Sequence, residues 1–293
     1  MVLVVPQVVS KVVSTAGLDF DEMLDTGGPP ILAVYDDVVL TTASAFYMRH
    51  NYSLPPDKTV VVRDIDNRPV LCTLRGHSLM TAVMRMNVNY GAFALDVDDV
   101  MSYDGRLYAK TRRTIVEVTF REAGGKELAQ TREVAHILGR STTLYPGVAI
   151  QNLLGSVFVS YFPTPSTHMQ VRIQELDGYR ILDAKYDRGV LMVIGERGGQ
   201  FDRLVFRFTD GSVYDLRTEH DVGATNLNFV TLDSGICVCM TEEEKLEVFS
   251  SRMSSTGMKI VEDTGLSGDM LLHKDGGTAL ISRGTKLFRM RMK

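Results

Sequence analysis

The chain has 293 residues, 44% apolar and 23% charged, with a formal charge of −4 at neutral pH. That length can bury a large core as one all-β domain or as two ordinary domains, and the composition excludes a disordered chain. The acidic balance argues against a general nucleic-acid or membrane-surface binder, and three cysteines (Cys72, Cys237 and Cys239) make neither a disulfide framework nor a zinc spacing.

The chain opens with MVLVVPQVVSKVVSTAG, which is apolar but has no basic leader and is interrupted by Pro6, Gln7, Ser10 and Lys11. It does not read as a signal peptide, and no other stretch reaches the length of a membrane span. A cytoplasmic or nuclear protein with reduced core cysteines is expected. Short runs rich in Val, Ile, Leu, Phe and Tyr then recur: ILAVY (31–35), TVVVRDI (59–65), TIVEVTF (114–120), SVFVSYF (156–162), VLMVI (190–194), RLVFRF (203–208), ICVCM (236–240) and KLEVF (245–249). Between them lie Asp-Gly at 104–105, 210–211 and 275–276, Gly-Gly at 124–125 and 198–199, and DSG at 233–235. Strand-length runs punctuated by hairpin signals describe successive antiparallel hairpins. Cys237 and Cys239, two apart, fall on one face of their strand.

First strands of a repeating unit are expected near Ile31, Thr81, Thr114, Val148, Leu182, Asn226 and Asp269, about 40 residues apart on average. This spacing predicts an all-β chain forming a single β-propeller over 1–293, with seven four-stranded blades and six as the rival count. In LDGYRILDAKYDRG (176–189) the last strand of one blade and the first of the next compete for the same residues. The C-terminal unit supplies only DMLLHK (269–274), TALIS (278–282) and KLFRMRM (286–292). The N-terminal run VLVVPQVV (2–9), within a closing segment 1–13, is expected to supply the missing fourth strand, with Pro6 suited to an edge.

Residues 59–104 resemble the WD-repeat family of β-propellers. In TVVVRDIDNRPVLCTLRGHSLMTAVMRMN (59–87), Arg63-Asp64 stands where the family ends its third strand in Trp-Asp, and Gly76-His77 matches the Gly-His that opens the next repeat. In FALDVDDVMSYD (93–104), Tyr103-Asp104 takes the Trp-Asp place and Asp98 or Asp99 the tight turn before the third strand. The resemblance implies that His77 forms a reduced version of the family's hydrogen-bonded network with Asp98 or Asp99. The chain has no tryptophan and one Gly-His, so the match covers about one and a half repeats. The ending SVYDLR (212–217) echoes it.

The six histidines (His50, His77, His136, His168, His220 and His273) show no metal-ligand spacing. GERGGQ (195–200) lacks the ending of a phosphate-binding P-loop, and no serine elbow is present. Asp36-Asp37, Asp98-Asp99 and Glu242-Glu243-Glu244 are the candidates for metal-holding carboxylates in a propeller channel, although hairpin turns also select Asp. Arg112-Arg113 and the Arg289, Arg291, Lys293 group read as solvated charge. The loop NYSLPPDK (51–58) offers Tyr52 and Leu54 as partner contacts. The expected function is a non-enzymatic interaction scaffold in a multiprotein assembly, with protein partners, no cofactor, no metal and no catalytic residues. A hydrolase or lactonase-type propeller with a metal on channel carboxylates is the alternative.

Overall fold

The computed structural model describes residues 18–35, 38–47, 50–53, 58–84, 91–123, 126–137, 141–164, 167–209, 212–223, 227–240, 245–250, 260–263, 270–275 and 277–292. After β1 (Leu18–Asp25), the first sheet holds β2 (Ile31–Tyr35), β3 (Val38–Thr41), β4 (Ser44–Tyr47) and β5 (His50–Ser53). The second holds β6 (Lys58–Arg63), β7 (Pro69–Arg75), β8 (Ser78–Val83) and β9 (Gly91–Asp96), and the third β10 (Asp99–Tyr103), β11 (Arg106–Lys110), β12 (Thr114–Ala123) and β13 (Lys126–His136). The fourth contains β14 (Thr142–Tyr145), β15 (Val148–Leu153), β16 (Ser156–Thr164) and β17 (Thr167–Arg172), followed by a 3-10 turn at Gln174–Leu176. The fifth contains β18 (Arg180–Asp187), β19 (Val190–Arg197), β20 (Gln200–Thr209) and β21 (Ser212–Glu219). The sixth contains β22 (Phe229–Thr231), β23 (Ile236–Met240), β24 (Lys245–Ser250) and β25 (Ile260–Asp263). β26 (Met270–Asp275), β27 (Thr278–Arg283) and β28 (Lys286–Met292) complete the list, and the last sheet runs β1-β28-β27-β26. The fold is all-β: seven four-stranded blades of a β-propeller, six of them built from four consecutive strands and the last from β26–β28 with β1.

Side-chain alternation builds the core in each of two compact units. The unit of Ala43–Tyr186 and Gly195–Arg197 buries Leu107 and Ala109 of β11 with Val60, Val62, Val70 and Phe120, while Tyr108 from the same strand turns the other way. Tyr108 stacks on Phe162 with ring centroids 4.2 Å apart. The other unit comprises residues up to Thr42, Asp187–Ile194 and those from Gly198 on. There Val238 of β23 packs with Leu246, Leu272 and Ile281, while Cys237 and Cys239 share the opposite face with Val205 and Phe229. A period of two therefore places one strand's residues in two cores.

The first strands begin at Ile31, Lys58, Asp99, Thr142, Arg180, Phe229 and Met270. Three expected starts are corrected: Thr81 and Thr114 belong to third strands, and Val148 opens a second strand. Strands buried on both faces carry the unbroken apolar runs, whereas first strands such as DVMSY and TTLY mix polar with apolar residues. The contested stretch 176–189 resolves into one strand, β18, the first of its sheet.

The fourth strand of the last sheet is Leu18–Asp25; residues 2–9, expected in that place, lie outside the described residues. Charge explains why an acidic segment holds this position. The antiparallel register sets Asp19 opposite Arg291, Asp21 opposite Arg289 and Asp25 opposite Lys286, and an opposite-charge cross-strand pair such as Asp25 with Lys286 favours the ladder. The strand is extended by Thr26 N–H, which donates to the Thr285 carbonyl at 2.9 Å. Truncation through Asp25 bares the β28 edge and should lower Tm by ~10 °C, a loss of a few kcal/mol in a chain of this size. Differential scanning calorimetry checks it.

Candidate functional site

In the unit of Ala43–Tyr186 and Gly195–Arg197, the turns after first strands gather polar and aromatic side chains at one end of the sheets. Asp64 follows β6 and is buried. Its Oδ1 accepts the N–H groups of Asp66 (2.9 Å) and Arg68 (2.8 Å), and its Oδ2 accepts Arg68 Nε at 2.6 Å. The carboxylate thus holds the turn Asp64–Arg68 in one shape, an Asx-type use of aspartate. At its tip Ile65 is 67% exposed, fixed from behind by its N–H donating to the Phe120 carbonyl at 3.0 Å.

Beside it, Arg63 N–H donates to the Gly105 carbonyl at 2.6 Å, and the Arg63 stem would lie 3.2 Å from a Cβ on Gly105. Tyr103, the last residue of β10, repeats the arrangement over Gly147. A Cβ there would meet the Tyr103 ring at 2.9 Å and the Tyr186 carbonyl closer still, at a φ of +76°. Only glycine fits. Tyr103, Tyr161 and Tyr186 form a chain of tilted rings with centroids 5.7 and 5.3 Å apart. Half-buried Arg63 and Tyr103 with exposed Ile65 make a surface of the residue types that anchor protein contacts.

Several expected placements are corrected. Arg63-Asp64 and Tyr103-Asp104 end first strands, not third strands, and Gly76-His77 is the β7–β8 hairpin turn inside one sheet rather than a joint between blades. An apolar run closed by an aspartate turn has the same outline at any strand end, so the pattern alone does not rank the strand. Gly76 takes φ +60° at the first turn position, where glycine is favoured in a two-residue hairpin. His77 Nδ1 does lie 3.4 Å from Asp98 Oδ1, but its side chain is 71% exposed and its other neighbours are Asp96 Oδ1 at 3.9 Å and the Val97 carbonyl at 3.3 Å. Asp99 instead accepts Lys58 Nζ at 2.5 Å. Tyr52 stands opposite Ala45 in the β4–β5 ladder, its side chain outside the described set; Leu54, Asp36-Asp37 and Glu242–Glu244 lie outside the described residues.

The buried carboxylates were not anticipated. Glu117 of β12 has 2% of its side chain exposed, and Arg106 from β11 and Arg132 from β13 each donate to one of its oxygens. Glu247 of β24 has none exposed. Arg217 donates to both its oxygens, the longer bond at 3.1 Å, and Arg203 Nη2 lies 3.6 Å from Oε2. Glu219 ties the two arginines together, accepting Arg203 Nε at 2.8 Å and lying 2.9 Å from Arg217 Nε. Arg203 also reaches Cys239 Sγ at 3.5 Å, where burial pushes the thiol pKa up to about 11 despite that cation. Asp187, buried at the end of β18, accepts Thr231 N–H at 2.6 Å and Lys274 Nζ at 2.8 Å. The sequence signal was a lone glutamate inside an apolar third strand, TIVEVTF or KLEVF, with arginines on the flanking strands for the first and on the preceding sheet for the second. Among the described residues, no group of three or more His, Cys, Asp or Glu is placed to hold a metal ion.

No protein-family profile and no curated protein sequence matches the chain. Solved structures do. The chain is similar to virginiamycin B lyase from Staphylococcus aureus (TM-score 0.55, 11% identity, covering 94% of this chain and 100% of that one). It is also similar to the N-terminal domain of Nup159 (TM-score 0.54, 9% identity, 96% and 97%) and to Hsv2 of Kluyveromyces lactis (TM-score 0.48, 12% identity, 87% and 90%). At such identities the first two likenesses speak to the fold alone.

Replacing Glu247 by Ala leaves Glu219 as the one carboxylate answering Arg203 and Arg217 and should cost about 3–5 kcal/mol in urea unfolding, with Glu247→Gln recovering part of the loss. All three cysteines are buried. At pH 8 the native protein should therefore show no fast thiol with Ellman's reagent, and three after denaturation.

Proposed function

We propose that the chain is a non-enzymatic interaction platform, a subunit of a larger protein assembly, as the resemblance to WD-repeat propellers implies. The observation that carries this reading is the Asp64-locked turn, which presents Ile65 to solvent beside Arg63 and Tyr103. A rigid turn loses little conformational entropy on association, so an apolar tip on it binds with less ordering cost than one on a loose loop. The buried carboxylates support the same reading from the other side. Glu117, Glu247 and Asp187 are occupied by arginine, lysine and backbone donors and serve as architecture. Three buried thiols suit a reducing compartment, the cytoplasm or nucleus.

Tagged protein recovered from the cells that express it, at moderate salt and followed by size-exclusion chromatography and mass spectrometry, tests the platform. A stoichiometric partner is expected, captured about tenfold less by Ile65→Asp at unchanged Tm. Recovery of monomer alone, or equal capture by the variant, would overturn this reading and direct attention to metal analysis and hydrolase assays.

A further inference from the structure

Strands β16 and β17 pair Tyr161 with Met169 and then Thr164 with Thr167, so Phe162 and Pro163 together oppose the single residue His168. Two residues against one make a β-bulge, and Pro163 supplies a reason for it, since proline has no N–H to give the ladder. The bulge leaves the His168 ring against Phe162, with ring centroids 5.9 Å apart. The histidine is half-buried, yet its Nε2 atom is shut off from solvent and has no hydrogen-bond partner among the described residues.

Phe162 belongs to the apolar cluster that joins the fourth sheet to the third: it stacks on Tyr108 and shares the cluster with Ile115 and Ala135. The outer strands of the two sheets, β13 and β17, are also in contact. By strand alternation from Tyr108 and Ile115, the third sheet turns toward this junction Arg106 of β11, Glu117 and Arg121 of β12, and Arg132 of β13, which stands opposite Glu117. The one carboxylate in that described set already receives both Arg106 and Arg132. Asp99 of β10 is held by Lys58. Glu133 alternates to the other face, opposite Val116, and lies 3.0 Å from His136. Strands β14, β15 and β16 contain no charged residue, and on β17 Arg172 is paired with Asp177.

A neutral imidazole tolerates this place. Protonation makes both ring nitrogens donors and adds a charge. Nε2 would then carry an N–H with nothing to receive it, in a desolvated contact opposite three arginines, and an unpaired buried charge is costly. Burial accordingly holds the His168 imidazole below its ordinary value of 6.5. An opened hairpin returns the ring to that value. Acid therefore favours opening from about pH 6.5 downward until the folded value is passed, and above about pH 6.5 the group has no effect.

We propose that His168 is a proton-sensitive latch between the third and fourth sheets: as a neutral ring it seats the β16–β17 hairpin on Phe162 and Tyr108, and once protonated it releases that hairpin. Tyr103, on the candidate surface, packs against the same cluster, so the release reaches that surface too. The latch acts whether or not that surface binds a partner. Hydrogen exchange read by mass spectrometry at about pH 7.5 and about pH 5.5, corrected for the intrinsic rate, tests it on wild type, His168→Leu and His168→Gln. About one unit below the open-state value, opening of peptides from β16 and β17 should rise about tenfold in wild type and stay within about twofold in both variants. A histidine NMR titration of wild type should place His168 below 6.5, a readout that stands even where a variant fails to fold. An equal acid response in wild type and variants, or a His168 that titrates at 6.5 or above, would overturn the latch.

Discussion

A carboxylate without solvent must have its charge answered inside the protein, and that constraint organises both units. Glu117 and Glu247 sit on third strands, each between buried apolar neighbours: Val116 and Val118 beside Glu117, Leu246 and Val248 beside Glu247. Desolvating an ion costs several kcal/mol, and the cost is met only with close, well-aligned counter-charge. Each glutamate therefore dictates two arginine positions: one on either flanking strand for Glu117, and two on the preceding sheet for Glu247. The second arrangement links neighbouring sheets through directional bonds, where the apolar contacts around it are directionless. Register errors that a greasy interface would tolerate leave these charges without partners, so the clamps specify pairing more than they add stability.

The sheet count was legible because turn chemistry is local. Asp-Gly, Gly-Gly and Asp-Ser-Gly can be read without knowing what packs where, and the strand-like runs that fall within the described residues become strands. Strand rank was not legible, because it depends on burial by neighbouring sheets. TIVEVTF and VAIQNL are conspicuous for their buried apolar runs, and they drew attention away from DVMSY and TTLY, which actually begin their sheets. The closing strand shows the same difficulty in sharper form. LDFDEMLD looks like a solvated acidic segment until it is aligned with KLFRMRM, and the reason for its place lies more than 250 residues away in the chain.

At the candidate surface, the sequence pointed to the right neighbourhood for reasons that differ from the structural ones. Arg63, Asp64 and Tyr103 drew notice as echoes of a repeat signature. Their roles follow instead from a carboxylate that shapes a turn and from side chains that lie over the glycine of the next turn. The glycine contacts join residues about 40 positions apart, beyond what any local motif encodes. Ile65 carried no signal at all, because its exposure is set by the turn it sits on.

The pairing of β1 with β28 also has a temporal side. Leu18 meets Met292, so the contact that completes the last sheet closes nearly the longest loop the chain can make, and such contacts slow folding. On a ribosome adding ~5–20 residues per second, β1 emerges tens of seconds before its partner exists. For that interval it is a strand with nothing to pair with, and its acidity becomes an asset. A segment bearing four carboxylates among eight residues repels copies of itself on neighbouring ribosomes, whereas the basic strand it awaits attracts it.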